Sequence, residues 1–358
     1  MNIFKKVYEL PLGRQYVRHW GMTEAIREIL QNALDSESPF EYELTDDTLK
    51  VHSKYTTLTP ATLLLGQTTK AEATDKIGSF GEGYKIALLV LARSEYNVRV
   101  LNGDRIWTPT FKMSRQFEAE VLVIEDTSCP ELPNEGLTFE VRGLSPGDVA
   151  SIRESCLQMQ SHVGEYMKTQ YGRILRERPG KLYVGGLYVC DTELQFGYDI
   201  LPQYLKLERD RQTVSNWDLQ DRTKEMWFDT ERYEEIAQLL ADKCKDLDYA
   251  EYGAPDMVKE ACYRHFKEKH PGAVVARDQD ELERFVKQGM ERVVVVGGAY
   301  GSAVRGSGSY NSTHVPRRIQ TPREVLELWY EANKKSMLRP AKDSFQHLLE
   351  KADKWKER

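Results

Sequence analysis

Two stretches of the sequence decide the fold: AIREILQNALDS at residues 25–36 and GSFGEGYKIALLVL at residues 78–91. The apolar spacing of the first predicts an amphipathic helix over residues 22–36. The second places three glycines directly before a strongly apolar run, which predicts a loop that leads into a helix from about Tyr84. Both stretches also carry polar side chains at spacings that suit a charged ligand.

The first helix carries an E-x-x-x-N-x-x-D pattern at Glu28, Asn32 and Asp35. Glu28 and Asn32 are four residues apart, so both project from one helix face, and Asp35 lies close to the same stripe. An amide oxygen can ligate a hard cation such as Mg²⁺, and a carboxylate can take a proton from a water aimed at a phosphate. Taken alone, the pattern also fits a solvent-exposed helix face, so that alternative stays open.

The glycine loop has the spacing G-x-x-G-x-G at Gly78, Gly81 and Gly83. A triphosphate needs several backbone N–H groups directed at it, and glycine lets the backbone approach closely and adopt positive φ. The helix that follows presents the partial positive charge of its N-terminus to the phosphates. Lys70 and Lys85 flank the loop and can neutralise more of the phosphate charge.

The residues around these glycines argue against two other phosphate-binding loops. A Rossmann loop needs a strand directly before the first glycine, whereas residues 70–76, KAEATDK, are polar and loop-like. A Walker loop needs Gly-Lys-Ser or Gly-Lys-Thr after the glycines, and the sequence has neither here.

Together and in this order, the two stretches resemble the GHKL ATPase superfamily, which includes topoisomerase and gyrase B ATPase regions, MutL proteins, heat-shock chaperones and histidine kinases. REILQNALD is similar to the family's N box, and GSFGEGYKIALLVL to its second glycine box. The resemblance implies a Bergerat α/β sandwich of the stand-alone bacterial or phage type that binds ATP with Mg²⁺. It makes Glu28 the general base and Asn32 the Mg²⁺ ligand, with a short lid between the boxes. The nucleotide-binding residues that it implies are Asn32, Asp35, Ser53, Thr69, Lys70, Gly78, Phe80, Gly81, Glu82, Gly83, Lys85 and Thr138.

One stretch departs from the family pattern. The family has a D-x-G-x-G box whose aspartate accepts from the adenine amino group, and the corresponding residues 51–60 are VHSKYTTLTP. Ser53 stands near the expected aspartate. Either Ser53 or Asp35 then contacts the base, or the pocket takes another nucleotide. Thr138, in EGLTFEV, is the candidate for a threonine that the family has late in the sandwich.

The second half of the chain resembles the transducer domain of those GHKL ATPases in which a lysine or arginine reaches the γ-phosphate. Residues 205–212, LKLERDRQ, contain Arg209 and Arg211. A guanidinium suits bidentate phosphate binding. Arg211 is preferred as the catalytic contact because RDRQ-type segments in this position resemble those transducer loops, and Lys206 is the second choice. A locally paired surface cluster is the alternative for this segment.

The whole chain is predicted to have an α+β fold, with the sandwich followed by a transducer-like α/β domain and a small C-terminal α/β and helical region. The predicted domains span residues 1–144, 145–250 and 251–358. In the first domain, four segments have strand character: 97–103, 105–112, 118–126 and 137–144.

After the first domain, the pattern predicts five features. They are a helix over 145–167 with Ser145 as N-cap, a hairpin around Gly185-Gly186, a strand–helix–strand unit over 273–299, a mobile Gly/Ser-rich stretch over 300–320, and two closing helices.

Composition limits the class of protein further. The chain has 358 residues, of which 40% are hydrophobic and 30% charged, so it can bury cores and is not globally disordered. The net charge of −6 argues against a general polyanion-binding protein. No apolar run is long enough for a membrane span, and the five cysteines are scattered. We therefore expect a cytoplasmic protein with reduced thiols and no membrane association.

Two functions compete at this level. The first is an ATPase whose hydrolysis drives a conformational change in a homodimer or on a protein partner; the second is a nucleotide-sensing regulatory module that does not hydrolyse. The segment from Lys334 onward has eight basic and four acidic residues, which leaves nucleic-acid contact through the C-terminal region open. Histidine-kinase activity is disfavoured, since no helix offers a convincing phosphoacceptor histidine.

Overall fold

The structure is a computed structural model that describes residues 5–36, 39–64, 83–132, 135–207, 214–310 and 322–352. Internal contacts divide the chain into two compact units, Met1–Thr230 and Glu231–Arg358. Helices and strands are mixed along the chain, so the fold is α+β as expected. The domain boundaries after residues 144 and 250 stay predictions.

A seven-stranded antiparallel sheet forms the basis of the first unit. Its strands are β1 (Lys5–Gly13), β2 (Glu41–Leu44), β3 (Thr48–Ser53), β4 (Asn97–Asn102), β5 (Arg105–Ser114), β6 (Ala119–Ser128) and β7 (Leu137–Arg142). The order across the sheet is β1-β6-β5-β4-β7-β3-β2, with every neighbouring pair antiparallel. The four strand segments predicted after residue 96 are all present as β4–β7.

Three helices pack against this sheet: α1 (Met22–Leu34), α2 (Gly83–Arg93) and α3 (Pro146–Ser155). Their apolar side chains share one core with alternate residues of the strands, such as Leu49 and Val51 of β3. Because side chains alternate between the two faces of a strand, the helices cover one face of the sheet. Gly83 to Leu91 of α2 are all buried, as expected for a helix that is apolar on all sides.

The predicted helix over residues 145–167 is wrong beyond Ser155. Ser145 does cap α3, since its side chain accepts from the Asp148 N–H. At Cys156 the backbone becomes extended and forms a bridge with Leu187, and the Leu157 N–H donates to the Gly186 carbonyl at 2.8 Å. Pairing with a distant part of the chain therefore ends the helix, and local helical spacing could not reveal it.

A second sheet of the first unit contains β8 (Tyr166–Thr169), β9 (Gly172–Leu175), β10 (Lys181–Val184), β11 (Leu187–Asp191) and β12 (Gly197–Ile200). The order is β11-β10-β12-β9-β8, and only β10 and β12 are parallel. Gly185 and Gly186 both have positive φ in the β10–β11 turn, which confirms the predicted hairpin. Helix α4 (Asn216–Asp229) is tied to β12 by the Trp227 indole N–H, which donates to the Tyr198 hydroxyl at 2.9 Å.

The second unit is mainly helical around a small parallel sheet. It contains α5 (Tyr233–Ala241), α6 (Asp256–Lys269), β13 (Val274–Ala276), α7 (Gln279–Lys287), β14 (Val293–Val295), α8 (Gly298–Gly306), α9 (Pro322–Asn333) and α10 (Arg339–Ala352). Strands β13 and β14 are parallel, which confirms the predicted strand–helix–strand unit.

The stretch that was predicted to be mobile is helical at its start. Residues 300–306 belong to α8, where Tyr300, Ala303 and Val304 are buried. The small residues permit close packing: a Cβ on Gly301 would lie 1.9 Å from the Val296 carbonyl oxygen. Residues 311–320 of that stretch lie outside the described residues.

The structure also bears on the predictions about the cysteines and about membrane-spanning helices. All five cysteines are free thiols. No helix in the described ranges is long and apolar enough to cross a membrane.

Candidate functional site

The polar stripe of α1 is buried. Glu28 has no exposed surface, Gln31 is 2% exposed and Asp35 is 7% exposed. Burying a carboxylate costs several kcal/mol unless neighbouring groups stabilise it, so such residues are rare in protein interiors. The E-x-x-x-N-x-x-D pattern is therefore not a solvent-exposed helix face.

Asn32 is the partly exposed member of this stripe. Its amide nitrogen donates to the backbone carbonyl of Glu28, one turn earlier, at 2.7 Å. This bond fixes the amide with its nitrogen toward the helix backbone and leaves the oxygen as the end that can accept or ligate. The arrangement places an oriented carbonyl oxygen one helical turn from a buried carboxylate.

Helix α2 packs directly against α1. Gly83, the last of the three predicted loop glycines, is the first residue of α2 and is buried. The N–H groups of a first helical turn have no partner within the helix, and they carry the positive end of its dipole. This end of α2 therefore suits an anion.

Lys85 is completely buried. Its ammonium donates to the Leu64 carbonyl. The neighbouring Tyr84 hydroxyl donates to the Thr62 carbonyl at 2.7 Å. These bonds attach the 3-10 turn at Pro60–Leu63 to the first turn of α2.

Ser53 lies at the carboxyl end of β3 and is 6% exposed. In the register it pairs with Leu137, and it alternates with Leu49 and Val51, which belong to the core under the helices. Its side chain therefore points to the same face as α1 and α2.

Thr138 lies on the other face of the sheet. It pairs with His52, whose ring Nδ1 is 2.8 Å from the Thr138 hydroxyl oxygen. Side chains alternate along a strand, so a shift of one residue moves a side chain to the opposite face. The register therefore places Thr138 on the face opposite Ser53, and Leu137 occupies the position beside Ser53. The assignment of Thr138 to the nucleotide site stays a prediction.

Asn102 is a structural support that the sequence analysis missed. Its side-chain amide accepts from the Leu58 N–H at 2.9 Å and donates to the Leu58 carbonyl at 2.7 Å. The pair of bonds fixes the loop that follows Ser53 to the end of β4. In the sequence, Asn102 is indicated only as half of an Asn-Gly turn, so its partner 44 residues away was not predictable.

A second support is Gly136. A Cβ at this position would lie 2.3 Å from the Ser53 carbonyl oxygen and 2.6 Å from the Lys54 carbonyl oxygen. Only glycine lets β7 begin this close to the end of β3.

The remaining predicted site residues lie outside the described ranges. They are Thr69, Lys70, Gly78, Phe80, Gly81, Glu82 and Arg211. Lys206, the second choice to Arg211, is described and exposed.

The residues fit a magnesium–phosphate site better than a protein-only metal site. Among the described side chains, no cluster of three or more His, Cys, Asp or Glu could hold a metal ion. Mg²⁺ is usually bound through one or two protein oxygens together with phosphates and waters. A single oriented amide oxygen at Asn32 matches that pattern.

The chain has a relative among known proteins. No protein-family model matches the chain. Over 218 residues, the chain is 22% identical to an uncharacterized protein of Mycoplasma pneumoniae (strain ATCC 29342 / M129 / Subtype 1), and this alignment covers 55% of the chain and 86% of the relative. The relative's description mentions no activity, so the similarity assigns no function.

Proposed function

We propose that the first unit binds ATP with Mg²⁺ in a Bergerat-type pocket between α1 and the N-terminus of α2, and hydrolyses the ATP. The observation that carries the proposal is the buried stripe of α1, where the Glu28 carboxylate lies one turn from the oriented Asn32 amide. Buried ionisable groups cluster at functional sites. The neighbouring helix start supplies the positive end for the phosphates.

Each residue of the stripe has a defined task in this proposal. The Asn32 oxygen holds the cation, and Glu28 accepts a proton from the water that attacks the terminal phosphate. Mg²⁺, when bound, neutralises charge on the phosphates.

The base end of the pocket is assigned to Ser53. Its hydroxyl lies on the helix-covered face at the end of β3, and the loop beyond it is fixed by Asn102. A hydroxyl can donate as well as accept, so Ser53 can hydrogen-bond the edge of a purine without a carboxylate. We further propose that nucleotide binding acts on a homodimer or a protein partner, as the GHKL resemblance implies.

A nucleotide-sensing module that does not hydrolyse is the second candidate, and the serine in place of the family aspartate favours it. Steady-state phosphate release separates the two, using wild type, Glu28→Gln, and Glu41→Gln as a matched control on the exposed edge strand β2. We expect Glu28→Gln to lose roughly 100-fold or more of the rate, the usual size of a general-base contribution, while keeping ATP binding.

Glu41→Gln should match wild type in both rate and binding. If Glu28→Gln hydrolyses ATP at the wild-type rate, Glu28 is not the base. If wild type binds ATP and releases no phosphate, the non-hydrolysing module is the correct function.

A further inference from the structure

Strand β14 forms an open edge of the small parallel sheet in the second unit. Among the described residues this sheet has two strands, β13 and β14. The outer side of β13 is covered: its three residues are at most 1% exposed, and the Val275 N–H donates to the Tyr310 hydroxyl at 3.1 Å. Strand β14 differs, since Val293 and Val294 are partly exposed and Val295 is 43% exposed.

The sequence of β14 is typical of an interior strand. Residues 293–296 are four consecutive valines, without the lysine or proline that often protects a natural edge strand from pairing. Strands of parallel sheets are apolar on both faces because both faces are usually covered. Helix α7 packs against β13 and β14, yet it has no buried residue and leaves Val286 55% exposed. Both β14 and α7 therefore present apolar surface that a further strand would cover.

The ladder fixes which backbone groups of β14 point to the open edge. Strand β13 bonds to the Arg292 carbonyl at 2.9 Å and to the Val296 N–H at 2.8 Å. Successive residues of a strand direct their N–H and C=O groups to opposite sides. The N–H and C=O groups of Val293 and Val295 therefore point away from β13.

A second copy of the chain satisfies these outward groups in a single register. With a two-fold axis through Val294, the two β14 strands run antiparallel, and Val293 of each copy lies opposite Val295 of the other. Two residues paired in this way exchange both of their N–H···O=C bonds. The result is a continuous sheet in the order β13-β14-β14-β13, and a sheet of more than two strands is far better able to be stable.

We propose that the protein forms a homodimer through β14, by antiparallel pairing of this strand with the β14 of a second copy. The valines are uncharged and are arranged symmetrically about the axis, so each copy meets the same apolar surface that it presents, as a two-fold interface requires. The interface uses no residue of the proposed nucleotide site, and it forms without ATP.

Sedimentation velocity of the full chain without nucleotide tests the proposal. Between about 1 and 100 µM protein, we expect a shift from the mass of one chain to twice that mass, as mass action requires. Val293 is the first residue of β14, and its N–H faces the open edge, so Val293→Pro removes an outward donor and leaves the bonds to β13. We expect Val293→Pro to raise the dimer dissociation constant roughly tenfold or more. Val293→Thr, which keeps the N–H and the β-branched shape, is the matched control and should dimerise as wild type does.

A cysteine on the axis tests the register. Val294 faces Val294 of the second copy as a non-hydrogen-bonded pair, with Cα atoms about 4.5 Å apart, within the ~4.4–6.8 Å that a disulfide spans. Val294→Cys should therefore form a covalent dimer under mild oxidation. Val293→Cys, which faces a valine of the second copy, is the control, and wild type accounts for the five native thiols.

The proposal is overturned if wild type keeps the mass of one chain over the whole concentration range, or if Val293→Pro dimerises as tightly as wild type. Circular dichroism shows whether Val293→Pro is folded, and if it is not, the cysteine variants decide. Val294→Cys that crosslinks no faster than Val293→Cys also overturns the proposal. All these samples lack nucleotide, so a failure of the ATP site would not be mistaken for a failure of the dimer.

Discussion

Individual buried polar side chains distinguish the first unit from one with a purely apolar core between sheet and helices. Glu28, Lys85 and Asp126 are each at most 2% exposed. Asp126 accepts from the Arg105 side chain at 2.6 Å, and Lys85 donates to Leu64, so these two have structural tasks. Glu28 lies one helical turn from the oriented Asn32 amide, and a functional role is proposed for it on that ground.

Tyr84 gives a prediction about alkaline pH. Burial raises the pKa of Tyr84 to about 12, whereas the unfolded phenol ionises near ~10. Because the pKa is higher in the folded state, the protonated phenol stabilises the fold fully below pH ~10. This contribution is lost as the pH rises toward ~12. The phenylalanine in Tyr84→Phe has no group that ionises. Between pH 9 and 11, the free energy of unfolding of wild type should therefore fall by about 1 kcal/mol more than that of Tyr84→Phe.

Urea unfolding at the two pH values measures this difference, with the exposed Tyr55→Phe as control. Tyr84→Phe should also cost about 1 kcal/mol at neutral pH, because the Thr62 carbonyl loses its donor. Equal pH dependence in Tyr84→Phe and wild type would contradict the account of its burial.

Elements with strong local signals were predictable. The helical spacing of 22–36 gave α1, found at Met22–Leu34, and the Asn-Gly and Gly-Gly turns separated the correct strands. The helix prediction failed where a segment distant in sequence sets the conformation: Cys156 leaves the helix to pair with β11. The β3–β7 register likewise depends on distant pairing, and it turns Thr138 away from Ser53. Local periodicity contains information neither on strand register nor on pairing between distant segments of the chain.

The β3–β7 junction gives a prediction at this scale. Gly136→Ala places a Cβ against two carbonyl oxygens and forces the strands apart at Ser53, which should cost about 1–3 kcal/mol. Gly147→Ala is the matched control in α3, where the nearest atom outside the neighbouring residues is 3.7 Å away; it should be neutral or stabilise by up to about 1 kcal/mol. Urea unfolding measures the free energy of unfolding of both variants. A Gly136→Ala variant as stable as wild type would show that β3 and β7 do not approach this closely.

At the scale of the whole molecule, the sequence predicted only the part of the candidate site whose residues are close together along the chain. Glu28 and Asn32 are close in sequence, so helix geometry alone brings them together. Asn102 and Gly136 support Ser53 through contacts across the sheet. Such sites exist only after the sheets have formed.

The division of the chain leads to a prediction about truncation. A chain that ends at Thr230 retains α1–α4 and both larger sheets. We expect it to fold with a cooperative melting transition and to keep any nucleotide binding of the full chain, as followed by circular dichroism and calorimetry. A truncated chain without a cooperative transition would mean that the first unit is not an independent folding unit.

The central claim, a Mg²⁺-dependent ATP site on α1, is tested most directly by calorimetric titration of ATP into the full chain with Mg²⁺ and with EDTA. We predict binding with a Kd of about 1 mM or tighter in Mg²⁺ and roughly tenfold weaker binding in EDTA. Asn32→Ala should lose the Mg²⁺ effect, and the exposed control Asn97→Ala should retain it. No binding of ATP by wild type, or an Asn32→Ala variant whose ATP binding gains as much from Mg²⁺ as that of wild type, would contradict the account.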